Sequence, residues 1–367
     1  MRHGRSNPQE ERWRARLATR VAARTAGDLS RAVGVFGGYV PLELPLALGL
    51  EPLVLSFGGS PQAMQLGEKY VRADACPFCR SQVGVAEAAP WLGRVAFLAA
   101  FSACDQENRM LETCGRFLDL EIQVAGAPRT RSPNALARYR EDLERLRCRL
   151  EERFEAALET ARLAGAVAKM RRLRARLRAR RADLEFADFA ELVQGCLMLG
   201  VDPALEFLAS LEPKAPPAAR PLRLFLAGSC VARDDLVFAR ELAELGAEIV
   251  GDLTRLVGGL LACDVPEGTS TLAALAEAYF HQPDMGARPN DGYYAALAQA
   301  VEAVRVDGVL LRCLKFCDIH SGERRRVKEA LEPLPVLFLD DEYDAAARPR
   351  RRTRLESFVE MIRCRKA

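Results

Sequence analysis

A few of the eleven cysteines in this 367-residue chain stand where chemistry, rather than packing, asks for a thiol. In "ADACPFCRSQVG" (73–84), Cys76 and Cys79 lie three apart, and Pro77 suits the first turn of a helix. A thiolate at a helix start gains from the amide dipoles, which lowers its pKa. Three more cysteines directly follow strand-like runs: Cys104 in "FSACDQE", Cys230 in "AGSCVAR" and Cys317 in "KFCDIH". Open parallel sheets bind ligands just outside the carboxyl ends of their strands. A CxxC pair alone is compatible with zinc, thiol redox chemistry, an iron–sulfur cluster or packing. Structural zinc takes two closely spaced ligand pairs. The second pair here would be Cys313/Cys317, whose first member lies inside a strand, and the chain has only three histidines. A thioredoxin-like pair follows the first strand and opens its helix; "ADACPFC" has the helix but no adjoining strand. Sulfur ligands dispersed over two α/β units fit an iron–sulfur cluster better, without deciding the matter. Cys114, Cys148, Cys196 and Cys263 fall in helical or irregular runs and read as core or surface.

The elements that position these thiols come in two sets. Residues 35–60 read as loop, short helix and a buried strand near Leu53–Phe57. "GRVAFLAAFSACDQENRMLE" (93–112) reads as a strand ending near Phe101 followed by a helix, and "DLEIQVAG" (119–126) as another strand. Residues 134–212 are helical, rich in Ala, Leu, Arg and Glu, with a break at Gly200. "EPKAPPAARP" (212–221) is a Pro/Ala linker. The alternation then restarts, with strands in "LRLFLAGS", "AEIVGDL", "VLLRCLKF" and "PVLFLDDEY" and helices between and after them. The pattern predicts an α/β protein of two flavodoxin-like or Rossmann-like parallel-sheet domains with a helical segment between them. The boundaries are an N-terminal helix and first domain over 1–133, a bridging segment and linker over 134–219, and a second domain over 220–367.

Composition narrows the partners. With 53 basic and 50 acidic residues, the chain gives no global sign of binding nucleic acid. "KMRRLRARLRARR" carries seven arginines between 171 and 181 but no aromatic residue, and reads as a solvated face or a subunit contact. No run of roughly 18 apolar residues predicts a membrane span. The charged start lacks the apolar core of a secretory signal, so a cytoplasmic, reducing location is expected, where disulfides are rare. No Walker sequence occurs.

Five segments taken in order resemble the 2-hydroxyacyl-CoA dehydratase/benzoyl-CoA reductase superfamily, which includes the 2-hydroxyglutaryl-CoA dehydratase D-component. They are "GGYVPLELPLALGLEPLVL", "ACPFCRSQVG", "ACDQENRMLE", "VDGVLLRCLKFCDIH" and "LFLDDEYDAAARPRRRTRLESFVEMI", spread colinearly from about Gly37 to Ile362. The chain departs from the family pattern at Asp340-Asp341-Glu342-Tyr343, where Glu-x-Asp-Tyr is usual. It departs again at Ile319, where Pro is usual, and in "ARPRRR".

The resemblance implies a single [4Fe–4S] cluster held by Cys76, Cys104 and Cys317, with one iron not held by cysteine. It implies a subunit acting on acyl-CoA thioesters by a radical mechanism, either dehydrating a 2-hydroxyacyl group or reducing an aromatic ring. A relay subunit whose cluster never touches substrate is a further alternative. The implied partners are a paralogous second subunit or a second copy, and a separate ATP-dependent iron–sulfur activator. Glu43, in the opening segment, is a candidate proton donor, base or outer iron ligand. His320 is a candidate for moving a proton or bonding a cluster sulfur. Arg350, Arg351 and Arg352 in "RPRRRTR" are candidates for gripping the phosphates of coenzyme A. Cys79 is expected one helical turn inside, beside Cys76 rather than on iron.

Overall fold

A computed structural model describes residues 8–212, 222–263 and 265–366. The N-terminal start and most of the 212–221 linker lie outside the described residues. Two four-stranded parallel sheets form the frame. The first contains β1 (Ala32–Phe36), β2 (Glu51–Val54), β3 (Phe97–Ser102) and β4 (Ile122–Gly126), in the order β2-β1-β3-β4. The second contains β5 (Leu222–Gly228), β6 (Ala247–Asp252), β7 (Gly308–Leu314) and β8 (Val336–Asp341), in the equivalent order β6-β5-β7-β8. All adjacent pairs are parallel. The α/β expectation of two parallel sheets therefore holds. Each order reverses direction between its first and third strands, which opens a crevice at their carboxyl ends.

β1 starts ahead of the stretch read as loop, and its last two residues, Val35 and Phe36, are strand where that stretch begins. Its five residues "AVGVF" are too short for alternation to show, and Gly34 breaks the apolar run. That glycine is a packing requirement: a Cβ there would stand 2.6 Å from Leu98 Cδ2 on β3. The centre strands β5 and β7 are apolar almost throughout because both faces are covered.

Between the sheets run helices Pro133–Phe154, Thr160–Ala179, Phe186–Leu199 and Val201–Ala209. Helix Phe186–Leu199 is buried along nearly all its length and packs against both β2 and β6. Its Gln194 donates to Val231 O at 2.7 Å. The arginine run is not simply a solvated face. Spaced three or four apart, its inward members bond the protein: Arg171 to Val265 O, Arg174 to Glu43, Arg178 to Leu261 O and Arg181 to Ile249 O. The first-half loop 56–59 is pinned to the second half by Arg233 N→Ser56 O (2.9 Å) and Asp234 N→Gly58 O (3.0 Å).

Candidate functional site

The carboxyl ends of the two sheets face each other. β1 runs into Gly37-Gly38-Tyr39 and β6 into Leu253-Thr254-Arg255. Gly37 has φ +78°, and a Cβ there would lie 3.0 Å from Glu107 Oε1. Gly38 sits against the Arg255 side chain of the opposite half. Arg255 pairs with Glu107 at 3.3 Å, so a partly buried ion pair ties the two switch points together. The Tyr39 hydroxyl donates to Asp284 at 2.7 Å, and Gln282 Nε2 donates to Gly38 O at 3.1 Å, across the same seam.

Five thiols gather along this seam. Cys76 is buried at the N-cap of helix Pro77–Ala88. The Cys79 thiol donates to it, the amides of Cys79 and Phe78 add their support, and together they hold it below its ordinary pKa against the cost of burial. Cys79 is driven well up for the complementary reason: it is the donor, and it is buried. Cys104 caps helix Asp105–Phe117, and its Sγ accepts from Glu107 N at 3.3 Å. Glu107 reaches back to Ala103 N at 2.7 Å, a thiol analogue of the capping box displaced by one residue. Burial, then Glu107, pushes Cys104 up to about 11 despite Arg255.

Cys317 follows β7 at the N-cap of the short helix Asp318–Ser321. Its neighbour Phe316 has φ +61° and is 46% exposed, a strained placement for a bulky residue beside the site. Burial raises Cys317, as does the charge of Cys76. Its Sγ lies 3.4 Å from His320 Nδ1. Burial, with Arg255 nearby, lowers His320 to about 4, so its imidazole is neutral near pH 7. Cys230, two residues past the end of β5, is pushed up to about 12 by burial, and the charges of Arg255, Cys317 and Cys76 all bear on it. Among the described residues, no three His, Cys, Asp or Glu side chains are disposed to hold a single metal ion.

Beside the thiols opens a narrow cleft of about 50 Å3, lined by Tyr39, Cys230, Arg255, Asp284, Tyr293 and His320 among others. Burial opposes ionisation of Asp284, but Arg255, the Tyr39 hydroxyl and the Gly286 amide hold its carboxyl below its ordinary range. The cleft thus carries a fixed cation, a fixed anion and a neutral imidazole. It also holds the Tyr293 hydroxyl, which is buried without a hydrogen-bond partner among the described residues.

The other candidates lie elsewhere. Glu43 is fully buried at the start of helix Glu43–Ala47, paired with Arg174 at 2.6 Å and accepting from the Tyr279 hydroxyl at 2.7 Å. Arg174 and Tyr279 line a small cavity that shares Gly38, Leu260 and Gln282 with the cleft. Glu43 is therefore one layer behind the thiols. "RPRRRTR" forms the first turns of helix Arg348–Lys366. Arg351 is buried against Glu241 (2.8 Å) and Asp341 (3.1 Å), and Arg352 pairs with Glu244 and Glu356. Arg350 is exposed and has no ion pair among the described residues.

Sequence reasoning singled out neither Arg255 nor Asp284. The available signal for Arg255 was its place in "GDLTRL", three residues past a strand end, the position that drew attention to the cysteines.

The profile described as 2-hydroxyglutaryl-CoA dehydratase, D-component, matches residues 38–362. The chain belongs to this family. The match takes in β2 to β4 of the first sheet, all of the second sheet and every thiol discussed above. Membership in the D-component family makes the protein a dehydratase component and part of a multi-subunit assembly. No curated protein matches the chain significantly. Among the described residues no helix is long and apolar enough to cross a membrane.

Proposed function

We propose that this D-component family member is the iron–sulfur subunit of an ATP-activated radical 2-hydroxyacyl-CoA dehydratase-type enzyme acting on acyl-CoA thioesters. One observation carries the reading. Cys104 and Cys317, one from each half, lie within electrostatic reach of Arg255 at the facing strand ends, and the charge of Cys76 bears on both. The donor set fits a [4Fe–4S] cluster held by these three residues. Each stands at a helix start, where amides favour thiolates, and Cys76 is already biased towards the thiolate. When bound, the cluster supplies low-potential electrons to a thioester carbonyl.

The chain's own groups have distinct tasks. Arg255 offsets the negative charge that thiolates and sulfides bring into a buried site. His320, neutral and bonded to Cys317, orients that ligand. Asp284 and the Tyr39 hydroxyl hold a proton at the cleft wall. The narrow cleft limits the bulk water around a reactive intermediate. Glu43, through Arg174 and Tyr279, positions the layer behind. Arg350 is the arginine of its segment left free for a coenzyme A phosphate. A second subunit, paralogous or identical, completes the enzyme, and a separate ATP-dependent activator delivers the electron.

Anaerobic purification tests this directly. Brown protein with about four iron and four sulfide per chain is expected, with turnover of an acyl-CoA only when second subunit, activator, ATP and strong reductant are all present. Catalytic rather than stoichiometric ATP use marks dehydration; stoichiometric use marks ring reduction. Colourless protein with stoichiometric zinc, or turnover by the chain alone, refutes the proposal.

A further inference from the structure

The wall of the cleft carries hydrogen-bond donors that the protein leaves unused. A buried phenol ordinarily finds a partner. Tyr39 donates to Asp284, Tyr139 to Tyr39 O, Tyr279 to Glu43 and Tyr294 to Glu323. Tyr293 does not. It is 4% exposed, belongs to the apolar cluster of Phe225, Leu297 and Leu311, and its hydroxyl has no partner among the described residues. Tyr343 shares that lack, but of the two only Tyr293 lines the cleft. Arg255 lines it too, with its side chain 23% exposed. Its one hydrogen bond among the described residues is the 3.3 Å contact with Glu107, so most of the N–H donors of its guanidinium stay open. The acceptors of the wall are, by contrast, filled. Asp284 takes the Tyr39 hydroxyl on one oxygen and the Gly286 amide on the other, each at 2.7 Å.

Charge and size decide what those donors can hold. The single positive charge of Arg255 is matched by Glu107, which bonds it, and Asp284 adds a further negative charge to the wall. A carboxylate entering the cleft would meet a surround that is already anionic, and in a narrow, poorly solvated space like charges repel strongly. An uncharged oxygen meets no such cost and still accepts from both donors. The space is small: about 50 Å3, where a single water needs roughly 10–15 Å3, so it suits a group of a few heavy atoms. We propose that Tyr293 and Arg255 are specificity-determining residues of the cleft, which selects a short acyl group bearing a hydroxyl and rejects one bearing a second carboxylate. The inference rests on the acyl-CoA reading above and names the acyl class within it.

The test is calorimetric binding of butyryl-CoA, 2-hydroxybutyryl-CoA and succinyl-CoA, whose acyl groups have equal carbon counts, to the anaerobically purified assembly containing the full-length chain. Wild type is expected to bind the hydroxyacyl thioester about tenfold more tightly than butyryl-CoA, and succinyl-CoA least tightly of the three. Tyr293→Phe, nearly isosteric, should cut the hydroxyl preference several-fold while leaving butyryl-CoA binding, iron content and melting temperature unchanged. A merely structural role for the hydroxyl would not single out one thioester. Asp284→Asn, which removes the surplus negative charge, should strengthen succinyl-CoA binding several-fold. Succinyl-CoA binding wild type as tightly as the hydroxyacyl thioester, or a full hydroxyl preference in Tyr293→Phe, overturns the proposal while leaving the acyl-CoA reading standing. Failure of all three thioesters to bind wild type overturns both.

Discussion

The two sheets share one strand order but hold their third strands in place by different forces. In the first half, β3 carries Ala99 and Ala100 and is packed by Phe36, Leu55, Met110 and Leu111, all apolar and buried. In the second half, β7 carries Arg312, 1% exposed, in the corresponding stretch. Asp235 grips it with two bonds of 2.6 and 2.8 Å, Asp341 with one of 2.7 Å, and the Phe238 ring lies over it. Arg351 extends the network from Asp341 to Glu241 on helix Val237–Glu244. Burial pushes Asp235 up to about 7 even against Arg312, whereas Asp341, held by two arginines, falls below its ordinary range. A buried ion network adds little net stability over an apolar core, but it demands one geometry, and removing one partner is costly. The difference teaches that Cys104 is placed by packing and capping, and Cys317 by a loop anchored to charges.

The largest effect expected is on cluster content. Cys76→Ala, Cys104→Ala and Cys317→Ala should each strip most of the iron, whereas Cys114→Ala and Cys148→Ala should not. If removing Cys104 left a full cluster, only one half would be holding it, and the two halves would not be functional counterparts. Next comes stability. Arg312→Met leaves Asp235 and Asp341 without their central cation and should cost about 3–5 kcal/mol in urea unfolding. Met110→Ala, its apolar counterpart behind β3, should cost about 2–5 kcal/mol by opening a cavity. An Arg312 variant as stable as wild type would show that the network does not hold β7.

A smaller effect is expected at Glu43. Glu43→Gln should keep iron content and lower stability by about 1–3 kcal/mol, because the bonds to Arg174 and Tyr279 weaken without vanishing. A fall in kcat of about a hundredfold at unchanged iron would instead make Glu43 a proton donor. The smallest effect concerns the arginines of helix Arg348–Lys366. Arg350→Ala should raise KM for an acyl-CoA by less than about tenfold, under roughly 1.4 kcal/mol, with an unchanged melting temperature. Arg351→Ala should do the reverse, because its charge already serves Asp341 and Glu241.

Much of this molecule was legible from its residues. Local signals carried it: Pro77 after Cys76, apolar runs ending at Cys104 and Cys230, Gly200 with φ +92° between two helices, and five family-like segments in order. β1 was lost because five residues interrupted by a glycine give no periodicity. The burial of Arg351 within "RPRRRTR" is not legible from the residues, because one of its two carboxylate partners, Glu241, lies 110 positions away.

The sequence by itself determined the two parallel sheets, the family and the candidate thiols, because strand periodicity, turn residues and motif order are properties of neighbours along the chain. The tertiary structure decided which charges those thiols meet. Arg255 faces Glu107 from 148 positions away, Tyr39 reaches Asp284 across 245, and Arg312 lies between carboxylates that no spacing rule connects. Long-range pairing of this kind depends on which strand ends face one another, and only the packed sheets fix that.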